Sequence, residues 1–323
     1  MTRTRLYRHG VLESEDFPVA DVSEHLRDPD SVVWLDLCGP SEHDLGPLAG
    51  ELGLHELAVE DALQAHERPK LDRYDSHCFL TAYAVRLDQR TGVLATTEVD
   101  AFLTPRALVT VRADDGFDMD AVVERWDRSP QLAKSGVGFL AHGLIDHVVD
   151  SHFDAVQALD DDIEELEDLT FADHPDDRAL HRRSLALRKS LVLLRRVVLP
   201  MREVVNTLMR RENDLVDDTM MPYYQDVYDH VLRASEWTDS LRDLVATIRE
   251  TQLNIQSNRL NLIMKKVTGW AAIIAVPTAV TGFYGQNVPY PGTGQPWGFW
   301  VSTAVMVALS LGLYATFKKR DWL

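Results

Sequence analysis

Polar and small side chains recur at steps of four and three residues through the last third of this 323-residue sequence. A spacing that averages 3.5 residues places them on one seam of a supercoiled helix. The seam begins with acids and hydroxyls in residues 236–250, and it continues through the following residues: Asn254, Ser257, Asn261, Met264, Thr268, Ala271, Ala275, Thr278 and Gly282. Amide and hydroxyl oxygens accept hydrogen bonds from water, so the seam is suited to line a hydrated path.

Apolar residues flank this seam, among them Leu241, Ile248, Ile255 and Leu262. Such residues would pack against neighbouring helices while the seam faces a water-filled hole. One chain supplies too few helices to enclose a pore, so this hypothesis requires a closed ring of several copies. For residues 236–250 alone, an acidic face in contact with solvent is an equally good interpretation.

Two apolar side chains interrupt the seam, since Met264 lies on it and Val267 lies beside it. Together they would form a hydrophobic constriction, which closes a pore by excluding water. Further along, the small residues between Ala271 and Gly282 would keep the bore open. Polar groups at membrane depth are tolerated where they line a cavity.

The uncharged tripeptide Gly285-Gln286-Asn287 follows the seam. Amide and carbonyl oxygens accept hydrogen bonds from the water shell of a cation. A ring of Asn287 amides with the Gly285 backbone would therefore hold a hydrated ion as a selectivity filter, because glycine lets the backbone approach closely. Gln286 would add a second amide ring or face a neighbouring copy. The alternative is a simple turn between two helices.

Two apolar segments, residues 268–283 and 297–317, surround this tripeptide. A helix needs about 20 apolar residues to cross the hydrocarbon core of a bilayer. Lys265 and Lys266 precede the first segment, and the basic residues 318–320 follow the second. Basic flanks mark the cytoplasmic side. We therefore expect a multi-pass protein of the plasma (inner) membrane with both termini in the cytoplasm.

The composition excludes several classes of function. The formal net charge is −18, whereas a nucleic-acid-binding protein would show a basic face, so cations rather than nucleic acid are the expected partners. Cys38 and Cys78 match no zinc spacing and are predicted to be buried thiols in a reducing compartment. No apolar run opens the sequence, so no signal peptide is expected. No nucleotide-binding loop or nucleophilic triad motif is present, which predicts a protein that is not an enzyme and has no catalytic cofactor.

The first 130 residues have an α/β pattern, and the rest is helical. The predicted strands and helices of the first part are strands at 32–37, 77–86, 98–103 and 107–112, and helices at 41–53 and 55–65. An acidic arm (150–177) and a basic arm (178–211) then form a predicted helical hairpin around Pro175. Either the arms neutralise each other, or the acidic arm concentrates cations. A helix that starts near Pro222 runs on through the first apolar segment.

The organisation predicted from these patterns has seven segments. In chain order they are a cytosolic α/β domain (1–135), a cytosolic helical part with the acidic and basic hairpin (136–218), a long stalk helix (219–267), a pore-lining transmembrane helix (268–288), an extracytoplasmic loop (289–296), a second transmembrane helix (297–317) and a basic cytosolic tail (318–323).

Four stretches resemble the CorA family of divalent-cation (magnesium/cobalt) transporters. Three of them are residues 59–70, 144–150 and 224–230. The fourth is C-terminal and consists of residues 265–287, the second apolar segment and residues 318–323. The resemblance covers about residues 30–323. It implies an α+β cytosolic domain (an αβα sandwich), a long-helix stalk and a two-helix transmembrane hairpin, assembled as a funnel-shaped homopentamer. The family's loop is Gly-Met-Asn, so Gly285 and Asn287 match it and Gln286 departs. Altered middle residues occur in the ZntB group, which is associated with zinc.

The resemblance also implies a regulatory Mg²⁺ site between subunits, formed by these acids: Glu60, Asp61, Asp146 and Asp226. Asp150 lies one helical turn from Asp146 and would share the site. Filled sites would keep the pore shut, and a fall in internal Mg²⁺ would open it. The alternative is that these acids form salt bridges to arginines such as Arg68 or Arg73. A zinc site at His142 and Asp146 is disfavoured, because a third ligand is not evident in the sequence.

The predicted function is potential-driven uptake of Mg²⁺, with Co²⁺ or Ni²⁺ as further substrates, by a homopentamer in the lipid bilayer. Moving two charges through about 100 mV releases roughly 4.6 kcal/mol, so nucleotide hydrolysis is not needed. Mg²⁺ would be both the transported and the regulatory ion. Two alternatives stay open: a ZntB-like zinc transporter, which Gln286 favours, and a membrane-tethered cation sensor or scaffold that conducts nothing.

Overall fold

The structure is a computed structural model. It describes residues 2–64, 68–88, 90–172, 176–210, 215–286, 289 and 291–322. The strands in these ranges are β1 Thr2–Arg8, β2 Val11–Glu15, β3 Ser31–Cys38, β4 Lys70–Arg73, β5 Cys78–Asp88, β6 Val93–Leu103 and β7 Ala107–Arg112. The α-helices are α1 Val22–His25, α2 Glu42–Leu52, α3 Glu56–Leu63, α4 Met119–Arg128, α5 Val137–Thr170, α6 Asp177–Leu208, α7 Met221–Tyr284 and α8 Pro296–Lys319.

The strands form one mixed sheet in the order β2-β1-β3-β7-β6-β5-β4. Its pairs are antiparallel except for β3 with β7. The strands predicted from the sequence match β3, β5, β6 and β7, whereas β1, β2 and β4 were not predicted. Basic residues alternate along β1, and one of them, Arg5, is buried because it pairs with Glu15 at 2.6 Å and Asp127 at 2.7 Å.

Helices cover both faces of this sheet, which confirms the predicted αβα layers. On one face, Phe79 and Phe102 pack with the apolar residues of α2 and α3. On the other face, Trp34 and Leu80 pack with residues of α4, α5 and the start of α7. The Trp34 and Trp126 rings meet edge to face at 5.0 Å.

The acidic and basic arms correspond to α5 and α6, as predicted. Arg183 of α6 bonds Asp162 at 3.0 Å and Glu165 at 2.5 Å on α5. At this point the two arms neutralise each other, which is the simpler of the two interpretations. Pro175, which was predicted to separate the arms, lies outside the described residues.

The predicted long helix is α7, which has 64 residues and so extends about 96 Å. The chain divides into two compact units, residues 1–246 and 247–323. Each of α7 and α8 contains an apolar window long enough to cross a membrane, and only 6% of each window is buried. A core helix of a soluble protein would bury most of that surface, so exposure favours contact with lipid.

Candidate functional site

The membrane half of the seam forms an exposed face of α7. Within the apolar segment of α7, the seam residues Ala271, Ala275, Thr278 and Gly282 are exposed. Ala272, Ile273, Val276 and Val280 are partly buried. Because successive helical residues are about 100° apart, the two sets lie on nearly opposite sides. The seam side is therefore free for other copies or water.

Before this segment, all residues from 253 to 268 are exposed, including the seam residues Asn254, Asn261 and Thr268. The predicted constriction residues are also open, since Met264 is 61% exposed and Val267 is 58% exposed. An apolar side chain this exposed is unfavourable in water. A neighbouring copy or a narrow, dry pore would cover it.

The flanking apolar residues divide into two groups. Leu241 and Ile248 are 3% and 5% exposed within the chain itself, so they do not pack against neighbouring copies as expected from the sequence. They are already covered by the rest of their own chain. Ile255 and Leu262 stay exposed and still fit the expectation of contacts between copies.

The predicted filter begins where α7 ends. The Gly285 N–H donates to the Thr281 carbonyl at 2.9 Å, and a Cβ on Gly285 would lie 3.1 Å from that oxygen. Glycine is therefore the residue that fits this close approach. Gln286 is exposed, and Asn287 lies outside the described residues.

Two of the predicted metal ligands lie together in the first unit. Asp146 and Asp150 on α5 and His230 on α7 place ligand atoms within 4.8 Å of one another. The sequence did not identify His230, although Asp226 and His230 are one helical turn apart. Asp226 lies 3.9 Å from the His230 imidazole, so it borders this group. Two carboxylates with an imidazole suit Co²⁺, Ni²⁺ or Zn²⁺ as well as Mg²⁺.

An arginine already engages both carboxylates. Arg125 of α4 donates to Asp150 at 2.5 Å and also to Asp146. Burial alone would lower the pKa of Arg125, but the bonds to Asp150 and Asp146 outweigh burial and raise it. The salt-bridge alternative is therefore present at these two acids, with Arg125 in place of the arginines named from the sequence.

Glu60 and Asp61 lie on α3 and are not part of that group. Asp61 accepts from Lys70 at 2.5 Å, and Glu60 accepts from Gln64 at 3.0 Å. Burial would lower the pKa of Lys70, but the bonds to Asp61 and Asp72 raise it overall. Within one chain, the acids that the resemblance assigns to one site thus fall into two groups, on α3 and on α5 with α7.

His142 does not join the metal-binding group. Its ring meets Tyr223 at 5.8 Å and Tyr224 at 5.4 Å, edge to face. Burial lowers the pKa of His142, and nearby Asp146 opposes that shift in part. These contacts give the ring a packing role.

A buried acid in the sheet was missed by the sequence analysis. Asp100 of β6 pairs with Thr81 of β5, and the Thr81 hydroxyl donates to it at 2.6 Å. Burial raises the pKa of Asp100 to about 7, although the Thr81 bond lowers it in part. Lys70 pairs with Thr81 from β4, so the three residues form one row across the sheet.

Sequence comparison identifies related proteins over nearly the whole chain. A family model described as CorA-like Mg²⁺ transporter protein matches residues 29–319. The cobalt/magnesium transport protein CorA of Thermotoga maritima is 30% identical over 321 residues, which cover 98% of this chain and 91% of that protein. The zinc transport protein ZntB of Yersinia enterocolitica is 25% identical over 299 residues, covering 91% of this chain and 85% of that protein.

Solved structures share the fold. The complete structure of the CorA magnesium transporter from Methanocaldococcus jannaschii matches with a TM-score of 0.80 at 22% identity, covering 100% of this chain and 99% of that one. The cytoplasmic domain of ZntB from Vibrio parahaemolyticus matches with a TM-score of 0.59 at 13% identity, covering 79% of this chain and 98% of that one. The α/β unit, the long helix and the two apolar C-terminal helices are thus an architecture shared with the complete CorA structure.

Proposed function

Because this chain belongs to the family of CorA-like Mg²⁺ transporters, we propose that it forms a homopentameric channel for Mg²⁺ uptake, with Co²⁺ or Ni²⁺ as further substrates. The observation that carries this proposal is the exposed seam of α7 on the side away from its partly buried residues. Five such seams in a ring would enclose a wet path through the bilayer. The membrane potential would drive the ion inward.

The channel would lie in the plasma membrane with both termini in the cytoplasm. Lys265 and Lys266 precede the first span, and Lys318 and Lys319 end the second. These basic residues favour the cytoplasmic side. The short connection between α7 and α8 would then face outward, and it would offer the filter to the incoming ion.

The filter would bind the ion through its water shell. Carbonyl oxygens at Gly285 and amide oxygens at Asn287 would accept hydrogen bonds from the six waters that Mg²⁺ holds, at about octahedral positions. The tight backbone at Gly285 supports this role, because it fixes where the carbonyls lie. A hydrated ion would then pass Thr278 and Ala275 to the constriction at Met264.

Cytosolic cations would regulate the pore through the group of Asp146, Asp150 and His230. A bound divalent ion would neutralise the carboxylates and join elements that meet there, α5 and α7. Since α7 continues from this group to Met264, occupancy of the group would bias the helix that carries the constriction. Loss of the ion would release α7 and open the pore.

Zinc transport is the second candidate, and Gln286 together with the ZntB relatives favours it. A zinc carrier would need no retained water shell, because Zn²⁺ exchanges readily into sites of four ligands. The two candidates differ in which ion crosses the membrane.

Ion flux into sealed liposomes tests the proposal directly. Purified protein should admit Mg²⁺, and Asn287→Ala should reduce the flux at least about tenfold, because one ring of amides is lost from the filter. The matched control is Pro291→Ala, a change in the same loop outside the filter, which should leave flux within about twofold. Zinc flux with little Mg²⁺ would support the second candidate, and a protein that admits neither ion would be a sensor or scaffold.

A further inference from the structure

The end of α8 folds into a turn that fixes Trp322. Asp321 has a left-handed backbone with φ of 55°. Its N–H donates to the Lys318 carbonyl at 3.3 Å, and the Trp322 N–H donates to the Phe317 carbonyl at 2.9 Å. These two bonds form a Schellman motif, which often brings an apolar contact with it. That contact is the stack of the Phe317 and Trp322 rings, with centroids 5.4 Å apart.

Trp322 forms one wall of an open groove of about 550 Å³ on α7. The other residues that line the groove are Asn258, Asn261, Leu262, Met264, Lys265 and Thr268. Lys265 is the charged member of this set, and no acid is present among these described residues, although the chain carries a net charge of −18. Amide N–H groups, a hydroxyl and an ammonium group all donate hydrogen bonds. The groove therefore suits an anion.

The groove also has an apolar part and lies at the edge of the span. Leu262 and Met264 are exposed, and the apolar segment of α7 begins just beyond Thr268. A free phosphate ion gains nothing from apolar walls. A phospholipid brings a phosphate and a hydrocarbon chain together, which matches both parts of the groove.

The groove reaches from the edge of the seam to the neighbouring side of α7. Asn261, Met264 and Thr268 belong to the seam, whereas Asn258, Leu262 and Lys265 lie beside it. The side beside the seam continues, in steps of four and three residues, to Ala272 and Val276, which are partly buried. A lipid would therefore enter the groove from the side beside the seam.

We propose that this groove binds the phosphate group of an anionic phospholipid from the adjacent leaflet, with Lys265 as the main cation and Trp322 as the apolar wall. A lipid held there would touch Met264 at the groove's edge, so leaflet composition would influence the proposed constriction. The binding site requires that the chain lies in a membrane, but it does not depend on which cation crosses.

Lipid binding to the full chain in detergent tests this site by native mass spectrometry, with phosphatidylglycerol and phosphatidylcholine as probes. Phosphatidylglycerol should bind the unaltered protein at least about tenfold more tightly. Lys265→Gln should lower that affinity at least about tenfold, and Lys265→Arg should retain it. The matched control is Lys266→Gln, which removes an adjacent charge outside the groove. Lys266→Gln should lower the affinity for phosphatidylglycerol by no more than roughly fivefold, which is the contribution of one surface lysine.

Two substitutions of Trp322 test the aromatic wall of the groove. Trp322→Ala should weaken phosphatidylglycerol binding several-fold, whereas Trp322→Phe should keep the stack on Phe317 and most of the affinity. Equal losses in Lys265→Gln and Lys266→Gln would overturn the proposal, since they would show attraction to the surface alone. Equal binding of the two lipids, or complete displacement of the lipid by millimolar inorganic phosphate, would also overturn it. Lipid binding is read out independently of ion flux, so failure of this site leaves the transport proposal untouched.

Discussion

One guanidinium group, that of Arg125, bonds two carboxylates that a divalent cation would also need. An ion that binds Asp146 and Asp150 must therefore displace the arginine or share the carboxylates with it. If this group binds a cation, Arg125 would raise the concentration needed for binding without being a ligand itself. The sequence did not identify Arg125 or His230 as neighbours of Asp146 and Asp150. Both residues lie far from these two acids along the chain, and the packing of α4, α5 and α7 brings them together.

Removing this competitor should strengthen cation binding. The measurement is a Co²⁺ titration in which the thermal stability of the full chain reports binding. In Arg125→Gln the Co²⁺ concentration at the midpoint should fall at least about tenfold, because a charge-assisted bond to the carboxylates contributes about 1.5–3 kcal/mol. Without added cations the variant should be less stable than the unaltered protein, since two carboxylates are left facing each other.

The matched control for Arg125 is Arg128→Gln. Arg128 lies on the same helix, but it is exposed and pairs with Glu124 at 2.8 Å. Its replacement should leave the Co²⁺ midpoint within about twofold. Identical titrations for the two variants would contradict the role given to Arg125.

Asp100 makes a pH-dependent contribution to stability. Burial raises its pKa from 3.8 to about 7, so between these values the folded protein holds a proton that the unfolded chain has lost. The stability contributed by Asp100 therefore falls as the pH rises through this window. Asp100→Asn should remove that fall, and the difference in unfolding free energy between the two proteins should change by roughly 4 kcal/mol across the window.

Melting curves of the full chain at several pH values measure this difference. His152 contributes a slope of opposite sign, because burial lowers its pKa from 6.5 to about 4. That contribution is common to both proteins and cancels in the comparison. Parallel stability profiles for the unaltered protein and Asp100→Asn would show that Asp100 does not titrate in this range.

At the scale of elements, the sequence predicted β3, β5, β6, β7 and the long α7. The strands were recognised as runs of strand-forming residues bounded by turn-prone residues, and α7 was recognised because neither Gly nor a second Pro follows Pro222 until Gly269. β1 escaped detection because its buried Arg5 makes the strand look polar. The flanking apolar residues change from buried to exposed between Ile248 and Ile255, and the period of the helix does not reveal that change.

The start of α8 depends on close contact between two glycines. A Cβ on Gly298 would lie 2.5 Å from the Gly292 carbonyl oxygen, and backbone atoms cannot give way as a flexible side chain can. Gly298→Ala should therefore lower the stability of the detergent-solubilised protein by about 1–3 kcal/mol. Gly312 lies in the same helix, and a methyl group added there would meet no atom within 4 Å, so Gly312→Ala should be neutral or stabilising. Equal melting temperatures for the two variants would contradict a close contact between Gly298 and Gly292.

At the scale of the whole molecule, an acidic chain carries two helices in which only 6% of each apolar window is buried. A bilayer would cover the outer surfaces of these helices, and only further copies of the chain would cover the seam. The family membership supports a divalent-cation transporter, whereas the five copies of the ring and its preference for Mg²⁺ are proposals. Sequence reasoning reached this level because the seam, the basic flanks and the loop are all local patterns.

The central claim is that the seam of α7 faces water inside a ring of copies. It is tested by introducing single cysteines into a Cys38→Ser, Cys78→Ser chain in liposomes and labelling them with a charged, membrane-impermeant thiol reagent. Thr278→Cys on the seam should react readily, and its modification should block ion flux. Val280→Cys on the partly buried side should react at least about tenfold more slowly and leave flux unchanged. Equal protection of both positions, or faster labelling of Val280→Cys, would contradict a water-filled path along the seam.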